Sequence, residues 1–91
     1  MREPLTILEQ LELSKTLWLK AMPPECPPPG DWEFLLWIKN YPPDILEKGI
    51  VHSAKKMRLN LREKRELIPQ AAQRYCTSVI THLRDARLGP R

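Results

Sequence analysis

Two cysteines and two histidines are the chain's softest ligands, and Cys26, His52, Cys76 and His82 equal in number the ligands of a structural zinc ion. Such sites draw their ligands in close pairs, C-x₂₋₄-C or H-x₃₋₅-H, and neither spacing occurs here. Cys76 and His82 stand six residues apart, which separates them by about 120° around a helix. No metal is expected. Cys26 lies in a proline run and Cys76 in a helical pattern, so the pair makes no disulfide framework, and free thiols are the expectation.

Nucleophilic and phosphate chemistry find equally little material. No Ser-His-Asp or Cys-His arrangement carries a local signature, and the three glycines, Gly30, Gly49 and Gly89, stand too far apart to cradle a phosphate. Without convergent reactive groups, no catalytic residues and no cofactor are expected.

Charge is the stronger signal. The formal net charge is +4, which favours polyanionic partners only where the positive charge is clustered. Residues 1–47 carry four Lys or Arg against eight Asp or Glu, whereas residues 48–91 carry eleven against three. Lys55, Lys56, Arg58, Arg62, Lys64 and Arg65 fall within eleven residues, and Arg74, Arg84, Arg87 and Arg91 follow. Together with Lys48 and Arg74 this cluster is the candidate phosphate-binding surface, whose affinity would be independent of sequence and sensitive to salt. Glu63 and Glu66 partly neutralise it. The same cations would serve an acidic protein partner, or only keep a small protein in solution.

The elements that position these side chains read as helices. Thr6 and Glu9 have capping-box spacing, and Ile7, Leu8, Leu11, Trp18, Leu19 and Met22 recur at helical intervals, predicting a first helix over about residues 5–21. Leu13 and Leu17 fall off that stripe, at i and i+4. They either widen the core face or contact a partner or a second copy. Residues 23–30, with five prolines, predict a stiff extended connector. Its Pro24 and Pro27 also have minimal PxxP spacing, which many linkers share.

Asp31 predicts the N-cap of a second helix over residues 32–40, apolar around nearly its whole circumference and therefore central. Pro43 and Asp44 suit the first turn of a third helix, predicted over residues 43–57. One stripe of it holds Leu46, Gly49, Ile50, Ser53, Ala54 and Met57, whose small members would admit a neighbouring helix closely. The opposite side carries Lys48, His52 and Lys55. Residues 58–67 read as a charged connection, irregular or partly helical, with Leu59, Leu61 and Leu67 as its anchors. A fourth helix is predicted over residues 69–87, with Ile68, Ala72, Tyr75, Cys76, Val79, Leu83 and Ala86 on its core face and Arg74, Thr77, Thr81 and Asp85 opposite; Gly89 and Pro90 end it.

There is no internal repeat. Four helices in 91 residues, with eight of the ten prolines at segment edges, predict one all-α domain: a compact four-helix bundle or orthogonal helical array with a Pro-rich connector after the first helix. No apolar run reaches the ~20 residues of a membrane span. Glu9, Glu12 and Lys15 interrupt the leucine-rich start as a secretory leader would not allow. A cytoplasmic protein with no membrane association is expected.

Three segments carry a family resemblance: Trp32-Glu-Phe-Leu-Leu-Trp37; Pro43 through Lys56 with Asn60 beyond; and Tyr75-Cys-Thr-Ser-Val79-Ile-Thr-His-Leu83. In this order they resemble the carboxy-terminal domain of DnaD/DnaB-type primosomal replication proteins. That family shows an aromatic-rich helix, a helix leading to a basic, Asn-containing turn, and a last helix with Tyr-x-x-x-Ile-x-x-x-Trp. Tyr75 matches, Val79 replaces Ile, and Leu83 replaces Trp. The resemblance covers residues 32–83 and implies a helical, non-enzymatic domain linked to single-stranded DNA binding and helicase loading.

The expectation is thus a small accessory protein associated with DNA, single- or double-stranded, with the link to replication that the resemblance implies. The alternative is a protein-interaction module or homo-oligomer using Leu13 and Leu17. A small regulator of a larger enzyme is a third class.

Overall fold

The first helix is closed at its start by reciprocal hydrogen bonds: Glu9 N–H donates to Thr6 Oγ1 (3.1 Å) and Thr6 N–H donates to Glu9 Oε1 (2.8 Å). The computed structural model describes residues 6–66 and 70–87, which form α1 (Ile7–Ala21), α2 (Asp31–Asn40), α3 (Pro43–Arg62) and α4 (Ala71–Arg87). The protein is all-α, a small helical bundle in which α3 packs against both α1 and α4. Leu67 and Ile68, the predicted start of the last helix at Pro69, and its predicted end at Gly89 and Pro90 lie outside the described residues. None of the described helices is long and apolar enough to cross a membrane.

The centre is aromatic. Trp18 of α1 stacks on Trp37 of α2 at 6.2 Å between ring centroids, and Phe34 meets both rings edge-on. Trp18 also donates its indole N–H to the Cys26 carbonyl at 3.0 Å. The connector is therefore tied down and partly buried, and it is not extended throughout as predicted. Cys26 N–H bonds the Pro23 carbonyl at 2.9 Å, closing a turn in which Pro24 occupies the second position that suits its fixed φ.

Two helix boundaries differ from expectation. Gly30, rather than Asp31, caps α2: its carbonyl accepts from Glu33 and Phe34, while Asp31 enters the first turn, where a carboxylate suits the helix dipole. The larger difference is α3, which runs five residues past the predicted end at Met57 and absorbs half of the expected connection. A Schellman motif stops it. Lys64 takes a left-handed conformation (φ 60°), donating its N–H to Leu61 O at 3.0 Å, and Arg65 N–H reaches Asn60 O at 2.9 Å.

Helix faces shift too. Leu11 and Trp18 on α1 and Met22 at its C-cap are buried, but Ile7, Leu8 and Leu19 of the predicted core stripe are exposed. On α2, Phe34 and Trp37 are buried, whereas Trp32 and Leu36 face outward because neighbours cover only one side of the helix. On α4 the buried line is Ala72, Cys76 and Ile80, and Ala86 is exposed. Thr77 and Thr81, predicted to face solvent, accept or share hydrogen bonds with Trp37 Nε1 (3.2 Å) and Tyr41 Oη (2.8 Å). α4 therefore packs along α3 and reaches Trp37 and Tyr41 through its threonines, which turns its buried line to Ile80. The small residues Gly49, Ser53 and Ala54 lie buried on α3, with Ile80 of α4 directly against Gly49.

Candidate nucleic-acid interface

The buried stripe of α3 leaves the remaining circumference to solvent, and its cations lie there. Lys48, Lys55 and Arg62 are exposed and seven residues apart. At 100° and 1.5 Å per residue they form a nearly straight row about 21 Å long. Extension of α3 to Arg62 is what aligns them; a helix ending at Met57 would have left Arg62 in a loop. None of the three makes an ion pair with a described residue.

The other predicted cations divide by their partners. Arg58 turns its guanidinium to the Ala21 carbonyl, capping the last turn of α1. Arg65 pairs with Glu63 at 2.8 Å, and Lys64, exposed, is the left-handed residue of the helix stop. Lys56 is half-buried beside the row, and Arg74 stands exposed on α4. Farther along α4, Arg84 lies over the Tyr41 ring, 4.7 Å from its centroid, and Arg87 pairs with Asp44 through both terminal nitrogens. The Arg87 hydrogen bond holds the Asp44 carboxyl below its ordinary pKa, and Asp44 in turn raises that of Arg87.

Beside the row, α3 and α4 enclose a groove of about 540 Å³ lined by Lys48, His52, Tyr75, Ser78, Val79 and His82, together with Leu83. His52 and Tyr75 stack across it, 6.2 Å between centroids and 12° from parallel. Sequence periodicity predicts Tyr75, Val79 and Leu83 on the core face; all three are half-buried, Tyr75 and Leu83 pack against the core, and the outer sides of the three line this groove. The period-3.6 pattern identified an apolar surface but could not say whether a neighbouring helix covers it.

A second groove of about 500 Å³ runs between α1 and the start of α3. Leu13 and Leu17 line it, with Ile38, Leu46 and Ile50. The two leucines are thus brought together as their spacing suggested, Leu13 exposed and Leu17 half-buried against the core.

The candidate zinc ligands are dispersed. Cys26 and Cys76 are buried free thiols in different elements, while His52 and His82 are exposed. Burial pushes the Cys76 thiol pKa up to about 12, against a smaller lowering effect of its hydrogen bond with Ser53. Burial, then the nearby Glu25 charge, raises that of Cys26. No three His, Cys, Asp or Glu side chains gather to hold a metal among the described residues.

Comparison with protein-family models, curated proteins and solved structures finds no match to this chain.

Proposed function

We propose that the protein is a non-enzymatic, cytoplasmic accessory factor that holds a nucleic-acid backbone along the outward face of α3. The observation that supports this reading is the solvent-facing row of Lys48, Lys55 and Arg62, with Lys56, Lys64 and Arg74 around it. These side chains bring concentrated positive charge to a rigid element and form no internal ion pairs among the described residues. Backbone neutralisation needs that and little more. The resemblance of residues 32–83 to the DnaD/DnaB-type domain supports a link to replication. Arg58 and Arg65 contribute less than their sequence positions suggest, because each is committed within the fold.

The test is fluorescence anisotropy with labelled single- and double-stranded DNA over a range of salt concentrations. Three phosphate contacts on duplex DNA predict a log–log salt slope of about −2.7. Reversing Lys48, Lys55 and Arg62 to Glu should abolish binding while leaving the circular dichroism spectrum intact. The reading fails if the wild type does not bind at low salt, or if the triple reversal leaves affinity unchanged. Arg58 is left out of the reversal because its loss would also uncap α1.

One observation favours a second reading, a protein-docking module: the groove that Leu13 and Leu17 line between α1 and α3. A helix-in-groove contact has this apolar character.

A further inference from the structure

The structure leaves a second outward face on α1, separate from the groove of Leu13 and Leu17, with a leucine at each end and opposite charges between. Leu8 and Leu19 are 72% and 67% exposed. With Glu12 and Lys15 between them, they recur at intervals of four, three and four residues, the spacing of a helix–helix seam. At 100° per residue the four side chains fall within a sector of about 60°. Leu13 and Leu17 lie roughly 150° away around the helix.

We infer that this face joins two copies of the chain as an antiparallel, two-fold-symmetric pair. A two-fold contact must be self-complementary, residue i meeting j while j meets i. With the axis between Leu13 and Ser14, Leu8 of one copy lies opposite Leu19 of the other, and Glu12 lies opposite Lys15. The four positions satisfy the symmetry completely: two leucine pairs close the ends and two ion pairs occupy the centre. A parallel arrangement in register would instead set Glu12 against Glu12 and Lys15 against Lys15, so like charges exclude it.

The fold supports this face from behind. Asp31 of α2 bonds Lys15 at 3.1 Å and holds it in place, while Glu12 is exposed and has no ion pair with a described residue. Trp32 follows Asp31 and is 73% exposed. It is an exposed aromatic side chain of the kind that anchors protein contacts. The pairing is independent of nucleic-acid binding, since it uses α1 and leaves the α3 row open.

Analytical ultracentrifugation of the full chain over a wide concentration range tests the pairing. The wild type is expected to show a monomer–dimer equilibrium. Glu12→Lys and Lys15→Glu should each weaken it about tenfold or more, by setting like charges across the centre. An equimolar mixture of those two variants should dimerise again, because every central pair then has opposite signs. Leu8→Ser/Leu19→Ser should abolish the dimer, and Leu13→Ser/Leu17→Ser should leave it intact, with circular dichroism confirming that each variant folds. A wild type that stays monomeric at the highest concentration would overturn the inference. So would a mixture that fails to associate, or a dimer lost only with Leu13 and Leu17.

Discussion

Gly49 of α3 and Ile80 of α4 meet so closely that a Cβ on Gly49 would overlap the Ile80 Cγ2 methyl and come within 3.8 Å of the Ile80 Cα. Both residues are buried, and the Gly49 carbonyl accepts a 2.7 Å hydrogen bond from Ser53 Oγ. This contact sets the spacing of the two helices that build the α3–α4 groove.

Gly49→Ala should therefore destabilise the protein, although alanine is the better helix former by about 1 kcal/mol. Overpacking costs about 1–3 kcal/mol, and because the α4 backbone lies behind the methyl, a net loss is expected in urea denaturation. The same substitution should cost less in an Ile80→Ala background, which removes the opposing methyl. A more stable single variant would show that the helices separate freely.

Lys64→Gly should stabilise the fold by about 1 kcal/mol, because glycine occupies the left-handed region without the Cβ penalty. Lys64→Val should do the reverse. Thermal unfolding of the two variants checks both signs, with helix content unchanged.

The Cys76 thiol predicts a stability change at high pH. Its folded-state pKa of about 12 stands above the ordinary value of 9.0, so the native state keeps a proton that the unfolded chain loses. The stabilising contribution is complete below pH 9 and falls away as the pH rises toward 12. Denaturation of wild type and Cys76→Ala at a series of alkaline pH values should show the difference between them shrinking across that window. Below it, both buried thiols should react with Ellman's reagent far more slowly than in urea.

Asp44 predicts the opposite sign. Arg87 lowers its pKa below the ordinary 3.8, so the pair contributes above that value and is lost as pH falls through the depressed one. Arg87→Ala should move the Asp44 carboxyl titration upward in an NMR pH series. A titration that does not move would mean the pair is not formed in solution.

The starts of α1 and α3 are readable because local chemistry makes them: Thr6 with Glu9 caps α1, and Pro43 with Asp44 opens α3. The end of α3 is not, since the stop residue is Lys64 and no glycine marks it. On α4, Ala72 and Cys76 are buried as their spacing predicts, but Ile80 is buried where Val79 is expected, because Thr77 and Thr81 bond to Trp37 and Tyr41, side chains forty residues away in sequence. For the candidate interface, charge clustering identified the cations. Only the folded geometry separates Lys48, Lys55 and Arg62, which are exposed and form no ion pair with a described residue, from Arg58 and Arg65, which are engaged within the chain.

The bond from Trp18 to Cys26 spans eight residues, and Phe34 and Trp37 join the same aromatic cluster within a further eleven. Closing so short a loop costs little chain entropy, whereas α4 must return across forty residues to meet Trp37. α1, the connector and α2 thus form a low-contact-order unit able to assemble early. The prolines of the turn at Pro23–Cys26 restrict the unfolded chain and so lower the entropy lost in closing that unit.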